Sequence, residues 1–326
     1  MAGTETLHSA LSSPADELVQ EINSLRKRRD AVILAHNYQV PEIQDLADFV
    51  GDSLGLSQQA AKTSARTIVF CGVHFMAETA AILCPDKRVL IPDLEAGCSL
   101  ASSINIEQLR DWKKEHPGAV VVSYVNTTAE IKAETDFCCT SGNALQVVQS
   151  IPQDREILFL PDVFLGSWVQ KVTGRKNMHI WMGECHVHSA IPPKRIDEKL
   201  REHPGAELLI HPECGCLTPY LDKVVRDNGS SRLKVTSTEG MIRAAGQSAA
   251  REFVVATEIG ILHRLRKENP DKTFYPIDNE MSCMFMKMIT VEKLHRALKE
   301  DIYHVTVPDE IARRARLSIE RMISIY

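Results

Sequence analysis

The 326-residue chain predicts an α/β fold: three similar α/β/α sandwich units with short parallel sheets, arranged with pseudo-three-fold symmetry around a central cavity. Three observations lead there. Lys-Glu-His-Pro-Gly-Ala at 114–119 returns as Arg-Glu-His-Pro-Gly-Ala at 201–206, an offset of 87 residues that Cys98 and Cys185 share. Strand-like apolar runs alternate with amphipathic stretches along the whole chain, the pattern of parallel α/β units joined by right-handed crossovers. Lastly, Cys98, Cys185 and Cys283 each end a copy of this pattern, 30, 28 and 30 residues beyond Ile68, Ile157 and Phe253.

Each copy opens with an amphipathic helix, over 13–30, 105–115 and 196–202. In the second and third copies His-Pro-Gly stops that helix, because proline and glycine cannot continue it. A first strand follows at 32–35, 120–125 and 208–210, and exits into His36-Asn37-Tyr38, Asn126-Thr127-Thr128 and His211-Pro212-Glu213. Hydroxyl-bearing segments, Asp52-Ser53, Thr140-Ser141-Gly142 and Ser237-Thr238-Glu239, are then expected to open helices. A second strand is expected at 68–70, 157–160 and 253–256, and a third at 89–92, 178–182 and 273–276, running almost directly into the cysteine. Asp93 and Asp278 both stand five residues before it. The expected units are 1–104, 105–191 and 192–289. The remaining 290–326, read as a helix, a short strand at 303–307 and a final helix after Pro308, is expected to pack back on the first.

Composition narrows the function. A net charge of −5, 6% aromatic residues and one short basic run at 26–29, read as a solvated helix end, argue against nucleic acid as a partner. No apolar run approaches the ~20 residues that span a membrane, and the first dozen residues lack a secretory signal, so a cytoplasmic protein is expected. Nine cysteines, an odd number, point to reduced thiols and metal chemistry rather than a disulfide framework.

Cys71, Cys84, Cys138 and Cys139 read as packing residues. Cys214-Gly215-Cys216 beside His211 and Glu213 has zinc-like spacing, but no counterpart in the other copies. Cys98, Cys185 and Cys283, all loop cysteines after a strand, can hold Zn²⁺ with a fourth ligand such as His188, or three corners of a cubane iron-sulfur cluster. Cluster sites usually have four cysteines, so three would leave one iron open for Lewis-acid chemistry. Ser53, Ser141 and Ser237-Thr238 offer hydroxyls and free backbone N–H groups to a polyanion. His36, Tyr38, Tyr124, Asn126 and His211 add donors. Glu213 is the expected general base, with its pKa moved toward working pH in a partly dry cavity.

At these residues the chain resembles the quinolinate synthase family. The resemblance rests on Ala35 to Gln39, Asp45 to Ser53, Gly72 to Glu78, Tyr124 to Asn126, Cys139 to Ser141, Cys185 to His188, His211 to Cys214 and Thr257 to Gly260. It implies condensation of iminoaspartate with dihydroxyacetone phosphate to quinolinate, with loss of phosphate and water, in NAD biosynthesis. It also implies a 4Fe-4S cluster on Cys98, Cys185 and Cys283. Substrate contacts would fall on His36, Ser53, Tyr124, Val125, Asn126, Ser141, His211, Pro212, Glu213 and Thr238, with Ser237 beside it. Tyr38 and Glu213 match residues of proton transfer and ring formation, with His211 beside them. A transient hand-over of iminoaspartate from an aspartate-oxidising enzyme is left open. Two rivals are an aconitase-type hydro-lyase acting on a small hydroxy acid and a non-enzymatic iron-sulfur or zinc sensor.

Overall fold

The computed structural model describes residues 14–227 and 232–325, so the expectation about the first dozen residues lies outside the described residues. The first sheet and its helices comprise α1 (Pro14–Arg28), β1 (Ala31–His36), α2 (Pro41–Leu46), β2 (Phe49–Gly51), α3 (Ser53–Lys62), β3 (Thr67–Cys71), α4 (His74–Leu83) and β4 (Arg88–Leu90). The second holds α5 (Ile106–Glu115), β5 (Val120–Tyr124), α6 (Ala129–Ala133), β6 (Phe137–Cys139), α7 (Ala144–Ser150), β7 (Ile157–Leu160), α8 (Val163–Thr173) and β8 (Met178–Ile180). The third holds α9 (Lys194–Glu202), β9 (Glu207–Ile210), α10 (Leu221–Asp227), β10 (Leu233–Val235), α11 (Thr238–Gln247), β11 (Glu252–Ala256), α12 (Ile261–Glu268) and β12 (Thr273–Pro276). Helices α13 (Val291–Glu300) and α14 (Asp309–Ser324) close the chain.

All three sheets are parallel and have one strand order: β2-β1-β3-β4, β6-β5-β7-β8 and β10-β9-β11-β12. The central strands are continuous apolar runs because helices cover both faces of a parallel sheet. Ile33, Leu34, Val121, Val122, Leu209, Ile210 and Val254 are completely buried, each contributing about 2 kcal/mol of apolar burial. The order reverses between β1 and β3, between β5 and β7 and between β9 and β11, and the crevice at such a switch point, beyond the strands' carboxyl ends, is where ligands sit in open α/β sheets. His36 ends β1 there, and His211 follows β9.

The structure adds one edge strand per sheet, β2, β6 and β10, of three residues each. They are too short to carry a periodic signal and exist through pairing with the first strand. Two other expectations fail locally. Residues 303–307 form no strand, only an isolated antiparallel bridge between Leu90 and His304, because Tyr303 takes a left-handed φ of 64° that no regular strand accommodates. The second hydroxyl segment does not open its helix: α7 begins at Ala144, and Thr140 to Gly142 form a turn pinned by Asn143 Oδ1, which accepts the Thr140 N–H at 2.8 Å. In the tail, α13 packs on α1 and β3, and α14 packs on α3 and α4 and also on α6 and β6.

Candidate metal centre and active site

The three cysteine loops meet in one cavity of about 710 Å³, mouth included. In each, the cysteine carbonyl accepts an N–H four residues on, from Ser102 at 3.1 Å, Ser189 at 2.9 Å and Lys287 at 3.1 Å. The carbonyl two residues before each cysteine, on Ala96, Gly183 and Met281, accepts the N–H of His74, Val163 and Ile259 at 2.7, 2.8 and 2.9 Å. Loops built on one hydrogen-bond plan therefore deliver the thiols to one place. Burial pushes the Cys98 thiol up to about 12, with the nearby Cys283 adding to it, and burial also raises Cys185 and Cys283. Thiols so disfavoured as anions become stable thiolates only beside a cation.

The acid–base residues line the same cavity. Glu213, 3% exposed, accepts a hydrogen bond from the Tyr124 hydroxyl and faces His188 Nδ1 at 3.2 Å. His188 Nδ1 also lies 3.3 Å from Cys185 Sγ, and its Nε2 lies 2.9 Å from the Thr257 hydroxyl, which in turn meets the Tyr38 hydroxyl at 2.5 Å. Tyr38, Thr257, His188, Glu213 and Tyr124 thus form one unbroken hydrogen-bonded chain drawn from all three sheets. Cys185, His188 and Glu213 bring ligating atoms within 4.8 Å of one another, a set able to hold a metal ion.

Electrostatics correct one expectation. Burial alone would raise the Glu213 carboxyl, but His211, His188 and the Tyr124 hydroxyl outweigh it and hold Glu213 down at about 2, away from working pH. Its sequence context showed the dry cavity and His211, but not that His188 and the Tyr124 hydroxyl reach the same carboxylate. Burial pulls His36 to about 3 and His211 to about 4, so both are neutral imidazoles. The Tyr38 N–H donates to His36 Nδ1 at 3.2 Å, which leaves the ring proton on Nε2. His211 Nε2 pairs with Ser141 Oγ at 3.1 Å, while His211 Nδ1 and Asn126 Oδ1 are buried without a hydrogen-bond partner among the described residues. Buried polar atoms left without a partner call for a bound water, ion or ligand, or for a catalytic role.

Of the other expected site residues, Ser53 and Thr238 line the cavity as the first residues of α3 and α11. Asp52 caps α3 by accepting the Gly55 N–H at 2.9 Å, and burial raises its pKa. Ser237 caps α11 by accepting the Gly240 N–H at 3.3 Å. Val125, Pro212 and Ser237 are not part of the cavity wall. Sequence reasoning gave Thr257 and Glu258 no role. Glu258 is completely buried, accepts the Cys283 N–H at 3.1 Å and the Gly260 N–H at 2.7 Å, and pairs with Lys287 at 2.8 Å. Their position at the exit of β11, the strand beside β9 whose exit carries His211, was the available signal. Cys214 and Cys216 are bridged as a disulfide, contrary to the expectation of free thiols. The Gly215 turn sets their Cα atoms 5.2 Å apart, within reach of a bridge, and this removes them as zinc ligands.

Comparison with known proteins decides the family. The family model described as "Quinolinate synthetase A protein" matches residues 20–324. The chain belongs to the quinolinate synthase family. It is 56% identical over 316 residues to a quinolinate synthase of Mycobacterium sp. (strain KMS), covering 96% of this chain and 93% of the relative. A quinolinate synthase of Thermus thermophilus is 55% identical over 310 residues, covering 95% and 98%. One of Pyrobaculum aerophilum is 53% identical over 305 residues, covering 94% and 98%. The family match spans the three cysteine loops and every residue of the cavity wall. No helix among the described residues is long and apolar enough to cross a membrane.

Proposed function

We propose that the protein is a cytoplasmic quinolinate synthase that condenses iminoaspartate with dihydroxyacetone phosphate, releasing phosphate and water, in NAD biosynthesis. The observation that carries this reading is the convergence of three equivalent cysteine loops and one acid–base chain on a single cavity. When bound by Cys98, Cys185 and Cys283, a 4Fe-4S cluster supplies a Lewis-acid iron with one open coordination position. The donor set fits that group: three converging thiols and no fourth cysteine on the cavity wall.

The chain's own residues bind and move protons. The first-turn N–H groups of α3 and α11, at Ser53 and Thr238, and the Ser141 hydroxyl hold carboxylate and phosphate oxygens. Asp52, its acidity weakened by burial, caps α3 beside them. His36 through Nε2 and His211 through Nδ1 orient the substrates. Glu213, ionised at working pH, takes a proton, and the chain through His188 and Thr257 carries one to or from Tyr38. Val125, Pro212 and Ser237 shape the wall from behind, Val125 by donating its N–H to the Cys139 carbonyl at 2.8 Å. The proposal includes the division into units 1–104, 105–191 and 192–289, supported by each four-stranded sheet lying within one of them.

The test is an anaerobic assay of the cluster-loaded protein with both substrates. Quinolinate is the expected product. A protein with an intact cluster that forms none, or that instead dehydrates a hydroxy acid without the phosphorylated substrate, would overturn the reading.

A further inference from the structure

A second cluster of metal-ligating groups lies at the opposite end of the second sheet. His116 follows α5, Glu156 directly precedes β7, and His179 lies on β8. His116 Nδ1 is 2.8 Å and His179 Nε2 2.7 Å from the same Glu156 Oε1, with the two imidazole centroids 4.3 Å apart. All three ligating atoms lie within 4.8 Å of one another.

The internal repeat shows what is particular to this place. Strand registers make His203, Glu252 and Tyr275 the counterparts in the third sheet, and Arg28, Thr67 and Leu90 those in the first. In the third sheet Tyr275 stacks on His203 at 3.6 Å and donates its hydroxyl to Glu252 at 3.0 Å. A tyrosine there closes the cluster with a phenol, and the first sheet has no comparable donors. Only the second sheet combines two imidazoles with a carboxylate.

We propose that His116, Glu156 and His179 form a second metal site, for a divalent ion of the zinc class. Imidazole nitrogens select Zn²⁺ and its neighbours over Mg²⁺ or Ca²⁺. Bonds of ~2.0–2.2 Å to nitrogen and oxygen place tetrahedral ligands about 3.3 Å apart. The two N···O separations therefore widen by roughly half an ångström on binding. The side chains have room to do so: His179 is 45% and Glu156 37% exposed. That exposure also gives the fourth position to solvent. For the ion to bind, both nitrogens now facing Glu156 must present lone pairs, so each ring moves its proton to the other nitrogen or releases it. The bound ion ties the end of α5, the approach to β7 and strand β8 together. Adjacent Trp112, whose ring meets His116 edge-on at 6.3 Å and Trp181 at 5.5 Å, stiffens one wall.

The test is equilibrium dialysis of Zn²⁺ against the cluster-loaded protein, with elemental analysis. Wild type is expected to bind one Zn²⁺ per chain in addition to its cluster. His179→Ala and Glu156→Gln should each weaken that binding at least about 10-fold, the loss typical of removing even a group behind a ligand. Glu156→Gln still offers an acceptor to both imidazoles, so it separates metal binding from a hydrogen-bonded trio, and His203→Ala is the matched control that should change nothing. Co²⁺ in place of Zn²⁺ should give ligand-field absorption without thiolate charge-transfer bands. No stoichiometric Zn²⁺ in wild type, unchanged affinity in His179→Ala or Glu156→Gln, or thiolate bands with Co²⁺ would each overturn the site.

Discussion

The loops of Cys98 and Cys283 are near copies of one another, and the loop of Cys185 departs from both. In the outer loops Asp93 and Asp278 accept the N–H of Glu95 and Glu280 at 2.8 and 3.0 Å, and N–H groups of Leu100 and Ala101, or Phe285 and Met286, turn toward the sulfur. In the middle loop Ile180 occupies the aspartate's place, and a side chain, His188, meets Sγ at 3.3 Å. Two sulfurs are thus held by backbone, and the third by a residue that also sits in the acid–base chain. Three-fold symmetry places the thiols of the proposed cluster, while the proposed acid–base chain gathers around the one loop that breaks it.

The largest effect should show the symmetric part. Cys98→Ala, Cys185→Ala and Cys283→Ala are each expected to abolish the cluster, read as iron and labile sulfide, while Cys216→Ala retains it. Cluster loss in Cys216→Ala would mean that the ligand set is misassigned.

Next comes the tight packing of the middle loop. A Cβ on Gly183 would collide with Ser103 Oγ and with the Pro161 carbonyl oxygen, a backbone atom that cannot swing aside. Gly183→Ala should therefore lose most of its cluster, whereas Ala96→Gly at the matching place in the first loop should keep it. Equal iron contents in the two variants would remove the claimed difference.

The asymmetric chemistry is sharpened by Glu213→Gln and Tyr38→Phe. Each is expected to keep the cluster and lower kcat by about 10²- to 10⁴-fold, the usual worth of a positioned acid or base. Asp278→Asn, in an outer loop, should change kcat less than about 2-fold, because a neutral amide oxygen still accepts the Glu280 N–H.

How far the residues alone foretold this varies by region. Runs such as Val-Val-Val at 120–122 could only be strands buried on both faces, and the cysteine spacing marked the metal loops. The edge strands were illegible because three residues acquire their conformation from pairing. The acid–base chain was half legible: His188, Glu213 and Tyr38 stood out, but Thr257 joins them only through a fold that brings residues 38, 188 and 257 together. The ionisation of Glu213 depends on His211, two residues before it, and also on Tyr124 and His188, which only the folded chain brings beside it.

The smallest expected effect concerns α14. Glu134, on the second unit, pairs with Arg314 of α14 at 2.8 Å and with Lys113 at 3.0 Å, and although burial opposes it these cations hold its carboxyl down at about 2. A depressed carboxylate stabilises the fold fully above its unfolded pKa, and that contribution fades as pH falls through about 2. Glu134→Gln should cost about 1 kcal/mol in denaturant unfolding at neutral pH, with the difference from wild type vanishing at strongly acidic pH.

The three cysteine loops are proposed to hold an iron-sulfur cluster with one open iron beside the acid–base chain. Iron and labile sulfide analysis of the anaerobically purified protein tests it most directly. About four of each per chain are expected for a cubane cluster. Stoichiometric zinc at Cys98, Cys185 and Cys283 without labile sulfide would contradict it.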